Sequence, residues 1–170
     1  NVNLYRGKNR VGEADVLVVF SDRVIVVQAK AKKLTLAARK GNDGHLRKDF
    51  AAAIQDACDQ GWECANAIVA RDCRLEDDKG IEVQLPPSIK QVFTLSVVAE
   101  NYPALAHQAR EYLQAQSTNV ILPPLVIDVF LLDAMTEFLS TPARFLHYLR
   151  MRLSVSDELL VNHEFAALGY

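Results

Sequence analysis

The stretch from Gly12 to Lys33, GEADVLVVFSDRVIVVQAKAKK, constrains the fold of this chain more than any other. Val16–Phe20 and Val24–Val27 are apolar runs with no helical period, the pattern of buried strands. A short polar turn around Ser21-Asp22 separates them. Two carboxylates, Glu13 and Asp15, stand where the first run begins, and Gln28 and Lys30 stand where the second ends. Polar groups at the free ends of such a hairpin are costly to bury without partners. The four residues therefore pose one question: whether they form one site.

Hairpin geometry gives a testable answer. Side chains alternate along a strand, so Glu13 and Asp15 share a face, as do Gln28 and Lys30. In an antiparallel pair the numbers of facing residues have a constant sum. An even loop, Ser21-Asp22 or Phe20–Arg23, sets that sum to about 43. Asp15 is then expected opposite Gln28 and Glu13 opposite Lys30. A three-residue loop shifts the register by one and sends the two pairs to opposite faces.

Gly12-Glu13-Ala14-Asp15 followed by Val26-Val27-Gln28-Ala29-Lys30 resembles the PD-(D/E)xK nuclease superfamily, the restriction-endonuclease-like fold. The form is the one with Gln in place of the second acid, QxK, as in Mrr-type endonucleases. The resemblance implies that Asp15 and Gln28 hold a divalent metal, Mg²⁺ or Mn²⁺, and that Lys30 orients or activates the attacking water. Asp15, Gln28 and Lys30 are thus the expected catalytic residues, with Glu13 as a further metal ligand or neighbour. It also implies an αβββαβ core. The helix that the family places first is not visible here, because the sequence opens at Asn1 and runs almost directly into strand-like Val2–Tyr5.

The chain of 170 residues is long enough for one domain with a substantial core. A net charge of −2 gives the whole molecule no long-range attraction for nucleic acid, so such binding must come from a local patch. One exists. Between Lys30 and Lys48 seven basic residues face a single acid, Asp43. Lys32, Lys33, Arg39, Lys40, Arg47 and Lys48 are the expected phosphate contacts. The bland alternative is a solvated loop and helix start. No aromatic residue interleaves with them, so base stacking is not indicated. Cys58, Cys64 and Cys73 lack metal-type spacing and read as reduced thiols of a cytoplasmic protein. The apolar run Val120–Leu132 is interrupted by Pro123, Pro124 and Asp128, too short and too broken to span a bilayer.

Apolar residues at spacings of three and four, from Leu46 through Phe50, Ile54 and Cys58 to Trp62, predict a helix over about 44–71, kinked or ended at Gly61. Ile81–Leu85 is expected as an edge strand, Lys90–Ala99 as a central one, Pro103–Gln116 as a helix and Leu125–Leu132 as a strand with Asp128 at a sheet edge. Asp133 is the expected N-cap of Ala134–Leu139, and Thr141-Pro142 the start of a helix through Arg152, with Arg144, Arg150 and Arg152 mostly outward. A last helix is expected near Asp157–Leu168. The histidines are scattered; only His45, within the basic stretch, has a functional context.

The sequence thus reads as one α/β domain over 1–170 with a mixed sheet. The core covers about 1–132, and helices over about 133–170 form a C-terminal extension. The expected function is metal-dependent hydrolysis of nucleic-acid phosphodiesters, with DNA the favoured substrate and a homodimer favoured if both strands are cut. The alternative is a catalytically inactive module of the same fold that binds nucleic acid or a protein. No membrane partner is expected.

Overall fold

The computed structural model describes residues 1–31, 35, 43–99, 112–155 and 164–169, excepting the side chains of Asp43 and Leu46. Four strands come first: β1 (Val2–Arg6), β2 (Asn9–Ala14), β3 (Val16–Phe20) and β4 (Arg23–Lys30). Helix α1 (Asp43–Phe50) leads through a π-type turn at Ala51–Gln55 to α2 (Asp56–Ala70). Strands β5 (Arg74–Asp77), β6 (Gln91–Val98) and β7 (Leu125–Asp128) follow, then α3 (Val129–Phe138), α4 (Pro142–Ser154) and α5 (Glu164–Leu168). The class is mixed α/β, as the sequence indicates. One sheet is antiparallel, in the order β2-β1-β5; the other is mixed, in the order β3-β4-β6-β7.

The chain divides into two compact units. The first comprises residues 1–29, 57–96 and 115–125, and the second 30–56, 97–114 and 126–170. In the first unit, α2 presents Cys64, Ala65, Ala67 and Ile68 to Leu4 of β1, Ala14 of β2, Val24 and Val26 of β4, Leu75 of β5 and Val92 of β6. One helix face thus covers strands of both sheets. Gly61 does not kink α2. The helix is continuous through it, and a Cβ there would stand in ordinary contact, 3.7 Å from Gln28 Cγ and 3.7 Å from Thr94 Cβ. Gly12 on β2 is the tighter position, where a Cβ would lie 3.2 Å from Cys64 Sγ.

The even turn is present. Phe20 pairs with Arg23 and Val16 with Val27, and every pair of this ladder adds to 43. Ser21 has φ 55° and Asp22 is not in the positive-φ region, the pattern of a type II′ hairpin turn. Asp22 holds the turn in place. Its carbonyl accepts from Lys90 N at 2.8 Å, and its carboxylate sits 2.8 Å from Arg23 Nη1 and 2.7 Å from Lys90 Nζ. The Lys90 ammonium beside it holds the Asp22 carboxyl below the usual carboxylate value.

Two readings of this region are corrected. The segment from Gly12 to Ala14 does not extend the hairpin. It belongs to β2, where Glu13 pairs with Asn3 of β1, not with Lys30. And β3 is not buried: Val16, Val18, Val19 and Phe20 are all exposed. It is an outer strand of the described sheet, paired with β4 alone, and its side-chain faces are open to solvent. On β4, by contrast, Val24, Ile25 and Val26 are buried.

In the second unit, Phe50 meets Tyr112 edge-on at 5.8 Å, and Gln55 makes a two-point contact with the backbone of Gln114. Asp128 ends β7 and caps α3, accepting from Leu131 N at 2.8 Å. It lies on an outer strand of the described sheet, as expected, but it is buried and serves as a helix cap, the role expected of Asp133. Thr141 caps α4 as expected, with Pro142 in the first turn. Arg152 is buried, not outward: Nε and Nη2 grip Glu164 of α5 at 2.7 and 2.6 Å. Ile81–Leu85 forms no strand, only a bridge between Glu82 and Glu76. Most of the helix expected over Pro103–Gln116 lies outside the described residues; within them Tyr112 is helical and 113–116 are not.

Candidate functional site

Asp15 stands where the chain leaves β2 and enters β3, and so passes from one sheet to the other. Its N–H reaches the Val27 carbonyl at 3.1 Å, although Val27 already pairs with Val16. Two residues thus oppose one, the pattern of a β-bulge. The ladder does not continue to an Asp15–Gln28 pair, because the chain bends here. Instead the Asp15 carboxylate takes over as acceptor: its Oδ2 receives Ala29 N–H at 2.7 Å. The carboxylate is thereby fixed one residue beyond Gln28 along β4.

Gln28 is 3 % exposed and faces α2 on the same side of β4 as Val24 and Val26. Its Nε2 donates to the Glu13 carbonyl at 2.6 Å. A carbonyl cannot donate, so this contact fixes the hand of the amide: nitrogen toward Glu13, oxygen away from it. No hydrogen bond to Gln28 Oε1 is found among the described residues.

Glu13 joins this cluster through its backbone. Its carboxylate faces Arg10, at 2.9 Å, and the Asn1 side chain. Arg10 neutralises it there. Lys30 is the last residue of β4, half-buried, and its carbonyl accepts Ala99 N at 3.0 Å. It lies two residues from Gln28, on the same face of the strand.

Of the basic cluster, Arg47 and Lys48 are described; both are exposed in the last turn of α1. The Arg47 guanidinium lies over the Tyr112 ring at 4.9 Å, a cation–π contact. Lys32, Lys33, Arg39 and Lys40 lie outside the described residues. His45 is exposed on α1.

The residue that sequence reasoning missed is Cys64. Its Sγ donates to the same Glu13 carbonyl at 3.2 Å and lies 3.8 Å from Gln28 Nε2. The signal available was the run of spacings of three and four that puts Cys64 on the buried face of α2. Nothing in the sequence said which strand that face would meet.

The donor set suits a hard cation only in part. A carboxylate oxygen and an amide oxygen are ligands that Mg²⁺ accepts, and Mg²⁺ commonly uses one or two carboxylates and completes its shell with water and substrate phosphate. Among the described residues no group of three or more His, Cys, Asp or Glu side chains could hold a metal. A cation held by Asp15 and Gln28 would therefore depend on oxygens from the substrate. No helix of the described residues is long and apolar enough to cross a membrane. Comparison with protein-family models, with curated proteins and with solved structures gives no match.

Proposed function

We propose that this protein is a metal-dependent nucleic-acid phosphodiesterase, with DNA the favoured substrate, acting through Asp15, Gln28 and Lys30 in the cytoplasm. The observation that carries this reading is the pair of oxygens at the open end of the β3–β4 hairpin. Asp15 is pinned to Ala29 N–H, and the Gln28 amide is turned so that its oxygen is the free end. Both residues stand just beyond the open end of a ladder that closes at a two-residue turn, which supports the reading.

Each residue has a role that its chemistry supports. Asp15 supplies the anionic ligand of a Mg²⁺ or Mn²⁺ ion, and Gln28 supplies a neutral one. The bound ion would neutralise the phosphate and lower the pKa of the attacking water. Lys30, two residues along the same strand, orients that water or stabilises charge that develops on the phosphate. Glu13 supports Gln28 through its carbonyl, while its carboxylate is already neutralised by Arg10. Arg47 and Lys48, with Lys32, Lys33, Arg39 and Lys40, are proposed to contact the phosphate backbone.

The test is plasmid nicking with Mg²⁺ or Mn²⁺. Lys30→Ala and Asp15→Asn are each expected to lower the rate at least a hundredfold, with folding unchanged by circular dichroism. Wild-type activity in Lys30→Ala would sink the proposal. The engagement of the Glu13 carboxylate by Arg10 favours a second reading, a module that binds nucleic acid or a protein without cutting. Salt-sensitive duplex binding with no nicking under either metal would establish it for nucleic acid.

A further inference from the structure

Three groups meet at one backbone oxygen. The Glu13 carbonyl accepts from Gln28 Nε2 at 2.6 Å and from Cys64 Sγ at 3.2 Å, and Gln28 Nε2 also donates to Cys64 Sγ at 3.8 Å. A carbonyl oxygen has two lone pairs, and both are in use. Cys64 is 1 % exposed, and its Sγ lies 3.2 Å from where a Gly12 Cβ would stand. Gln28 is itself 3 % exposed, with Gly61 of α2 beside its Cγ.

We infer that Cys64 is a positioning residue for Gln28. By occupying the second lone pair of the Glu13 carbonyl and packing beside the amide, it holds Gln28 with nitrogen inward and oxygen outward. This rests on the function proposed above, because the hand of an amide matters to a cation. The oxygen binds it, whereas an amide turned the other way presents two N–H donors and repels it. The side chain acts through Gln28 and touches neither metal nor substrate.

The comparison uses wild type, Cys64→Ser, which keeps a donor, and Cys64→Val, which fills similar space without one. The first readout needs no metal: ¹⁵N NMR of the Gln28 side-chain amide in the metal-free protein. One slowly exchanging NH₂ pair is expected for wild type and Cys64→Ser, and at least tenfold faster exchange for Cys64→Val. The second readout is Mn²⁺ affinity by titration. It is expected to fall about tenfold in Cys64→Val and to recover in Cys64→Ser, in line with the loss that follows removal of a group supporting a metal ligand. Cys64→Ala replaces Cys64→Val if valine prevents folding.

A folded Cys64→Val or Cys64→Ala whose Gln28 amide is as protected as in wild type overturns the positioning role, whatever the metal does. Failure of the wild-type protein to bind Mn²⁺, with the amide held as described, overturns instead the metal chemistry and with it the purpose given to Cys64. The two failures are therefore distinguishable.

Discussion

The two buried thiols of α2 sit against different strands. Cys58 Sγ lies 3.1 Å from Ser96 Oγ on β6, and Cys64 Sγ bonds to the Glu13 carbonyl at the end of β2. Burial pushes both up to about 11 from an ordinary value of 9.0. The sign of the consequence follows from linkage. Below the unfolded value both states keep their protons and the stability is intact. As pH rises toward the folded value, the unfolded chain loses its protons first and the native state is penalised. Stability is therefore expected to decline between pH 9 and 11, by roughly 2 kcal/mol for each thiol. Urea denaturation across that range checks it, and a Cys58→Ala protein should lose about half of the thiol contribution. At neutral pH native protein should react with a thiol reagent at the half-buried Cys73 and spare the other two. Equal labelling of all three would contradict the packing described. Spacing placed Cys58 on the apolar stripe of a helix, with Cys64 in the same helical segment. It could not place Cys64 against Glu13, because that contact joins residues 51 positions apart.

At the scale of elements the hairpin was legible and its neighbours were less so. Alternation and the Ser-Asp turn gave the register of β3 and β4. They did not reveal that β2 belongs to another sheet, since a bend at Asp15 leaves no mark in hydropathy. Burial of β3 was misread for a related reason: a run of valines looks the same at an edge as at a centre. Asp128 shows the same limit. Its strand and helix are both apolar, so the sequence offered Asp133 as a cap, while the chain turns helical five residues earlier. Asp128→Ala is expected to cost about 1–2 kcal/mol through loss of the cap to Leu131 N–H, measured by chemical denaturation. A cost within 0.3 kcal/mol of Asp133→Ala, measured alongside, would argue against it. The turn provides a stabilising counterpart. Ser21 holds a positive φ that glycine adopts freely, so Ser21→Gly should raise stability by roughly 1 kcal/mol and the melting temperature by a few degrees.

For the whole molecule the deciding quantity is where charge lies, not how much there is. The net charge of −2 opposes a polyanion at long range, while the Lys30–Lys48 segment carries a local excess of six positive charges. If duplex DNA is the ligand, binding must be short-range, fall steeply with salt and depend on individual cations. Lys48 is exposed, and each phosphate contact contributes about −0.9 to the slope of log K against log salt. Lys48→Ala is therefore expected to make that slope shallower by about 0.9, in fluorescence anisotropy with a duplex oligonucleotide at several NaCl concentrations. Arg47 differs because its guanidinium also lies over Tyr112. Arg47→Lys should preserve most of the slope while losing stability from the ring contact, whereas Arg47→Ala should lose both. Cleavage of a saturating substrate should change little in any of the three, because none of them alters Asp15, Gln28 or Lys30. An unchanged slope in both alanine variants would place the phosphate contacts elsewhere on the protein and remove this end of α1 from the proposed interface.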